Sequence, residues 1–243
     1  MSKLLQYIYT FYCAVLLISI FLILFPFVFV CLQFEQTKPL AHRLNFLWGR
    51  LFFPLAGMPV SIQYEEKPNI NQAYVFVGNH FSYLDVALIQ YLLRNYFAFV
   101  GKSSVKKIPL LGYMFRKLHI QVERTEKDSR VKALHRSIRA LKNKRSIMIF
   151  PEGGIYATTF PTMHQPWQDG AFIMAIENKV PIIPISILDC YKALPATLLQ
   201  GPRRLHVVFH KAIDTNNLTK EDIEPLKKQV FDTIQTTLNL SQF

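Results

Sequence analysis

An imidazole and a carboxylate stand five positions apart in the segment Gly78-Asn79-His80-Phe81-Ser82-Tyr83-Leu84-Asp85. A histidine whose second ring nitrogen is held by a carboxylate is an oriented general base, able to take a proton from a hydroxyl. Within one continuous helix the two side chains would lie about 140° apart around the axis and could not meet. They can meet if the helix begins between them, with Ser82 as N-cap and Asp85 at the third helical position, an S-x-x-D capping box. His80 then lies in the turn before the helix. A second reading of the same residues stays open, in which Asp85 only caps the helix and His80 only fills the turn.

The segment Phe150-Pro151-Glu152-Gly153-Gly154 offers a second carboxylate beside two glycines, whose backbone N–H groups can approach a ligand closely. It also fits an ordinary turn, since Pro and Gly are common turn residues. Neither an H-E-x-x-H nor a C-x-x-C spacing occurs, so no metal site is expected from the three cysteines and seven histidines.

Both segments follow short apolar runs. Ala73–Val77, Phe97–Val100, Ile120–Val122, Ile147–Phe150, Ile182–Leu188 and Leu205–Phe209 read as strands. Tyr83–Leu93, Ile108–Leu118 (opened by Pro109), Ser129–Lys142 and residues 219–240 read as helices. In Ser129–Lys142 the apolar residues Val131, Leu134, Ile138 and Leu141 recur at helical spacing. Residues 61–72 read as a polar linker or a short strand and turn. The alternation predicts an α/β fold, a mixed, largely parallel sheet covered by helices. Sites in such sheets sit at the carboxyl ends of strands, which is where both segments fall.

No charge occurs from Leu4 to Phe34. As a straight helix that run would measure about 46 Å, more than a hydrocarbon core of roughly 30 Å. Pro26 is expected to kink or end it. A second apolar stretch, Leu44–Met58, carries Arg43 and Arg50 at its edges and interior. The expectation is an N-terminal membrane helix, or a helical hairpin lying in one leaflet. Lys38, Arg43 and Arg50 outweigh Lys3, so a spanning helix would leave the body of the protein in the cytoplasm. The net charge is +12, and residues 102–145 hold 14 Lys and Arg against three acids. Such a block attracts phosphate-rich partners. It lacks an RNP or zinc-finger pattern, so no nucleic-acid partner is expected.

Taken together, the motifs resemble those of the glycerolipid acyltransferases, in particular the 1-acyl-glycerol-3-phosphate acyltransferase branch. Asn79-His80-x-Ser82-x-x-Asp85 is similar to that family's first motif, the H-x4-D pattern, and Phe150-Pro151-Glu152-Gly153 to its third. Gly101-Lys102, Ile108-Pro109-Leu110-Leu111-Gly112 and Val122-Glu123-Arg124 resemble the second region, and Val180-Pro181-Ile182-Ile183-Pro184-Ile185 the fourth. Asp169-Gly170-Ala171-Phe172 sits where the family has a helix start. One departure stands out: after Gly153 the family continues with Thr or Ser and a basic residue, whereas this chain reads Gly154-Ile155-Tyr156.

The resemblance implies a membrane-anchoring segment over residues 1–58 and an acyltransferase domain over 59–243. It implies an enzyme of phospholipid biosynthesis at the cytoplasmic face of a membrane, moving an acyl group from acyl-CoA or acyl carrier protein to a lysophospholipid hydroxyl, without a cofactor. The expected product from 1-acyl-sn-glycerol-3-phosphate is phosphatidic acid. His80 and Asp85 are the implied catalytic pair. Asn79, Ser82, Lys102, Arg124, Glu152, Gly153 and Gly154 are the implied substrate-binding set, with Arg124 and Lys102 meeting the acceptor phosphate. A backbone N–H of Gly153 or Gly154 would meet the developing oxyanion. The departure after Gly153 keeps other acceptors open, such as a lyso-aminolipid. Two further alternatives are a transacylase and a catalytically inactive lipid-binding module.

Overall fold

The short apolar runs become strands and the longer periodic stretches become helices. In chain order these are α1 (Lys3–Cys31), α2 (Lys38–Leu55), β1 (Val60–Tyr64), β2 (Val75–Gly78), α3 (Leu84–Leu92), β3 (Phe97–Lys102), α4 (Leu111–Leu118), β4 (Ile120–Val122), α5 (Lys127–Lys142), β5 (Ser146–Ile149), α6 (Gly170–Asn178), β6 (Ile182–Ile187), α7 (Cys190–Ala193), β7 (Leu205–Phe209) and α8 (Ile223–Leu240). This computed structural model describes residues 1–195 and 197–241. Its strands form one sheet in the order β1-β7-β6-β2-β5-β3-β4. The chain divides into two compact units, one of Met1–Gln63, Phe81–Arg94 and Ile187–Val207, the other of Tyr64–His80, Asn95–Ser186 and Val208–Phe243.

In the larger unit β2 lies between β5 and β6, β5 pairs with β3, and β3 with β4, all parallel. Val75, Phe76 and Val77 are fully buried, as are Ile147, Met148, Ile182 and Ile185 on the neighbouring strands. Burial on both faces is what a parallel sheet under helices demands, and explains why these strands read as continuous apolar runs. β7 runs antiparallel to β6: the Leu188 N–H donates to the His206 carbonyl and the His210 N–H to the Pro184 carbonyl. The sheet is therefore mixed and mostly parallel, as expected.

Several boundaries differ from the expectation for local reasons. β2 starts at Val75 because the Tyr74 N–H donates to the Ser146 hydroxyl at 3.1 Å rather than to a strand carbonyl. Pro109 does not open α4; Leu110 takes φ +58° and the helix starts one residue later. On α5 the buried stripe is Ala133, Ser137 and Leu141, while Val131 is 44% exposed. On α8 the buried stripe is Leu226, Val230, Ile234 and Leu238.

In the smaller unit α1 and α2 form an antiparallel hairpin. The Trp48 indole N–H donates to the Leu17 carbonyl at 3.3 Å, and the Tyr9 and Tyr12 hydroxyls donate to the carbonyls of Ala56 and Leu55 at 2.6 and 2.9 Å. α1 runs through Pro26 without ending and is long and apolar enough to cross a membrane. Its end is closed by side chains: the Gln33 amide donates to the Phe29 carbonyl and the Thr37 hydroxyl to the Cys31 carbonyl, both at 2.7 Å, satisfying helix-terminal acceptors that would otherwise need water.

Candidate active site

Parallel pairing sets the first relation in the site. Val77 of β2 stands opposite Ile149 of β5. His80 lies three residues beyond Val77 and Glu152 three beyond Ile149, so the two loops leave neighbouring strands at the same height. The consequence is a direct bond: the His80 backbone N–H donates to Glu152 Oε1 at 2.6 Å. The His80 ring lies flat against Phe150, centroids 4.3 Å apart and planes 14° from parallel. The other carboxylate oxygen, Oε2, accepts the His164 backbone N–H at 2.9 Å. Glu152 is 3% exposed. Both of its oxygens thus hold backbone, one from the β2 loop and one from the segment that follows β5.

In the smaller unit, Asp85 Oδ2 accepts the N–H groups of Phe81 and Ser82, each at 2.8 Å. The helix starts at Leu84 with Tyr83 at its N-cap, so Ser82 is not the cap and Asp85 stands at the second helical position, not the third as expected; its carboxylate still takes the Ser82 N–H. Ser82 Oγ accepts the Leu84 N–H at 3.2 Å and donates to the Leu194 carbonyl at 2.9 Å. The Cys190 thiol also bonds the Asp85 carboxylate, and burial first, then that carboxylate, pushes the thiol well above its usual pKa. Tyr191 meets Phe81 edge-on at 5.8 Å. The short helix α7 therefore braces residues 81–85 at three points. Asn79, Ser82 and Asp85 are buried, and His80 is 9% exposed.

A cavity of about 430 Å³ opens in the larger unit beside Glu152. Its walls are largely aliphatic, including Val100, Val122, Val131, Leu134, Ile149, Ile173 and Met174, with Phe150 carrying the surface on which His80 stacks. Its polar members include Arg124, Arg130, Tyr156, Gln168 and Asp169. Burial draws the Arg124 guanidinium below its ordinary pKa, and Tyr156 and Glu123 work in the opposite direction. Among the described residues, neither Arg124 nor Arg130 has a carboxylate within 4.0 Å.

The expected substrate-binding set divides on this map. Arg124, Glu152 and Gly153 line the cavity, whereas Lys102 is exposed at the end of β3 and does not. Lys102 instead lies near Glu123, whose carboxyl is held below the usual range by the Ser103 hydroxyl at 2.5 Å and in smaller part by Lys102. The Gly153 N–H donates to the Phe150 carbonyl at 3.0 Å, closing the turn. Of the two expected oxyanion donors, that leaves Gly154. Gly153 has φ +77°, a conformation that favours glycine. Arg130 was not expected in the site. Its spacing carries a signal, since 130, 134, 137 and 141 follow one face of α5, and the first of these is a cation on an otherwise inward stripe.

A second constellation in the larger unit has the bond order of a serine triad. Ser186 Oγ lies 2.8 Å from His210 Nε2, and His210 Nδ1 lies 2.7 Å from Glu65 Oε1. Ser186 is fully buried and His210 is 2% exposed, so the set serves as an internal tie. His119 has a structural role too: its ring nitrogen accepts the Phe99 N–H at 3.2 Å.

A family model described as Acyltransferase matches residues 60–188, more than half of the chain. The chain belongs to this family. Among curated relatives, the acyltransferase is 28% identical over 204 residues to the 1-acyl-sn-glycerol-3-phosphate acyltransferase of Saccharomyces cerevisiae, covering 81% of this chain and 67% of that protein. It is 29% identical over 189 residues to the protein of that name from Chlamydomonas reinhardtii, covering 76% and 56%. The chain thus spans a little over half to two thirds of the length of these relatives. Among solved structures, the 1-acyl-sn-glycerophosphate (LPA) acyltransferase PlsC of Thermotoga maritima superposes with a TM-score of 0.78 at 21% identity, over 99% of this chain and 97% of that one. At that identity the likeness speaks to the fold of the acyltransferase alone.

Proposed function

We propose that this acyltransferase moves a fatty acyl group from an acyl thioester, acyl-CoA or acyl carrier protein, to the free hydroxyl of a lysophospholipid. The leading acceptor is 1-acyl-sn-glycerol-3-phosphate, with phosphatidic acid as product. The observation that carries this reading is the cavity beside Glu152, an aliphatic chamber with two cations that, among the described residues, have no carboxylate within 4.0 Å, next to the side chain that holds the His80 backbone. An acyl chain fits the aliphatic walls and a phosphate fits the guanidiniums. The names of the relatives support the same acceptor.

In this reading His80 takes the hydroxyl proton as the acceptor oxygen attacks the thioester carbonyl. The carbonyl oxygen becomes the oxyanion and draws on the Gly154 N–H. Collapse expels the thiolate, which takes the proton from the imidazolium, leaving an ester and a free thiol. Asp85 keeps the imidazole in the required tautomer, as the family resemblance implies, while its bonds to Phe81 and Ser82 hold the loop. Glu152 fixes the peptide of His80 and thereby its ring against Phe150. The apolar helix α1 keeps the enzyme at the bilayer where acceptor and product reside, with the site on the cytoplasmic side, which the thioester donor requires.

Ile155-Tyr156 after Gly154 favours a second reading in which the acceptor headgroup differs, such as a lyso-aminolipid. One experiment separates them. The purified full chain in lipid is assayed for lipid products with a panel of lysolipids and both thioester donors, alongside His80→Ala. General-base catalysis typically contributes about 10²–10⁴ in rate, so His80→Ala is expected to lose activity by that order with the fold intact. Near wild-type turnover of His80→Ala refutes the mechanism, and preference for a neutral lysolipid refutes the leading acceptor.

A further inference from the structure

Between β3 and α4 the larger unit presents an apolar point on a basic surface. A 3-10 turn, Ser103–Lys107, leads into Ile108-Pro109-Leu110. Ile108 is 49% exposed and Leu110 41%. Lys106 and Lys107 precede them, and Arg116 and Lys117 follow on the exposed face of α4. The Tyr113 ring lies 5.9 Å from each of the Arg116 and Lys117 cationic groups. No acid occurs from Ser103 to Val122. Among the described residues none of the four cations has a carboxylate within 4.0 Å.

The point is also held firmly. The Ile108 N–H donates to the Val105 carbonyl at 3.1 Å, the Leu111 N–H to Pro109 at 2.6 Å and the Gly112 N–H to Ile108 at 2.7 Å. A Cβ on Gly112 would come within 2.7 Å of the Lys106 carbonyl carbon, so only glycine lets α4 start this close to the turn. Leu110 sits at φ +58°, a region that leucine rarely adopts, and such strain persists only where surroundings over-determine it. A solvated loop has no need of a rigid turn that keeps two large aliphatic side chains in water. Aliphatic tips ringed by unpaired cations match the interface of an anionic bilayer, where acyl chains take the apolar groups and headgroup phosphates take the cations.

We propose that the Lys106–Leu110 turn is a lipid-docking wedge that inserts Ile108 and Leu110 into an anionic bilayer surface, with Lys106, Lys107, Arg116 and Lys117 on the headgroups. This contact is separate from α1 and belongs to the unit that carries His80 and Glu152. It does not rest on the acyl-transfer reading. Each cation at an anionic surface contributes roughly fivefold in partitioning, so the effect depends on lipid charge as α1 insertion does not.

The test uses the full chain in vesicles. Ile108→Trp puts an indole at the tip, and the emission of Trp48 and Trp167 is removed by subtracting the wild type. Vesicles of phosphatidylcholine with brominated chains are compared with the same vesicles containing phosphatidylglycerol. The expected result is at least severalfold stronger quenching of the added indole with phosphatidylglycerol, lost when Lys106→Glu and Lys107→Glu are added. Amide hydrogen exchange of residues 103–112 in the unmodified protein is expected to slow in the anionic vesicles only, which guards against a folding defect in the variants. Equal quenching and exchange in the two lipids overturn the proposal, as does slowing that survives both charge reversals. A response that follows protein concentration and not lipid charge assigns the tip to a second copy of the chain and also overturns it.

Discussion

Glu152→Gln separates two roles for the carboxylate in the third motif, an acceptor contact or a tie between two backbones. In the structure one oxygen takes the His80 N–H at 2.6 Å and the other the His164 N–H at 2.9 Å, with the side chain 3% exposed. Glutamine keeps the shape but offers one acceptor and two donors. Whichever backbone meets the new NH2 group loses its partner while buried, at a cost of about 1–3 kcal/mol. If the amide oxygen stays on His164, the His80 peptide is released and the ring loses its seat against Phe150. A misplacement cost of that size in the transition state lowers kcat by about fivefold to 150-fold. Steady-state kinetics with varied lysolipid at saturating thioester read this as a fall in kcat with little change in acceptor KM, and thermal unfolding reads the stability loss. Glu152→Asp keeps the charge yet is too short to reach both N–H groups, so it should recover only part of the rate. A Glu152→Gln enzyme with unchanged kcat and a raised acceptor KM would show that the carboxylate meets substrate and would refute the tie.

Three other perturbations test neighbouring claims. Cys190→Ala removes the thiol that bonds the buried Asp85 carboxylate; kcat should fall about tenfold, the scale of one hydrogen bond to a charged group, shift the pH–rate profile, and return with Cys190→Ser. An unmoved profile in Cys190→Ala beside an inactive Asp85→Asn would confine the thiol to packing. Arg130→Ala, at the exposed rim of the cavity, should raise KM about tenfold for a phosphate-bearing lysolipid and leave a neutral lysolipid unaffected; equal effects on both would remove it from headgroup recognition. For Glu65, burial would raise the carboxyl pKa, but the Lys211 N–H and the His210 ring more than offset it and hold the group below the usual range. A depressed folded pKa adds stability above the unfolded value that is lost as pH falls through the folded one. Glu65→Gln should therefore lower the neutral-pH denaturant midpoint and flatten the acid limb of stability, and a parallel offset at every pH would contradict the assignment.

What could be read before the fold was known follows from where each signal is local. β4 at Ile120–Val122 and β7 at Leu205–Phe209 match their expected ends to the residue, because in each case an apolar run meets polar flanks that also end the pairing. The start of β2 depended on a side chain from another strand, Ser146, taking the Tyr74 N–H, and no local pattern reports that. Pro109 is a sound helix-opening signal on its own; here Leu110 takes positive φ and Gly112 packs closely on Lys106, so the helix starts at Leu111. α7 has four residues, too few to show a period, so its bracing of the Phe81–Asp85 turn was invisible. The loops bearing His80 and Glu152 were legible because each is a strand end followed by residues with chemistry. That they join through a backbone N–H required the register of β2 against β5.

The same register explains how the chain departs from its family's third motif without losing the site. If the Glu152 carboxylate is consumed by the backbones of His80 and His164, the motif's acid acts as scaffold and its hold on substrate must come from elsewhere. A Cβ on Gly154 would fall 2.6 Å from the Tyr156 ring, so Tyr156 folds over the position where the family continues with a hydroxyl and a basic residue, and the phenol faces the cavity beside Arg124. The positive charge that this loop lacks is present in the same cavity, from Arg124 after β4 and Arg130 in the first turn of α5. Placing the cations between β4 and the first turn of α5 changes the direction from which an anionic headgroup is held, while His80 keeps its place at the strand end. On this view the identity of residues 155 and 156 tunes headgroup choice, and the proton-transfer step is indifferent to it.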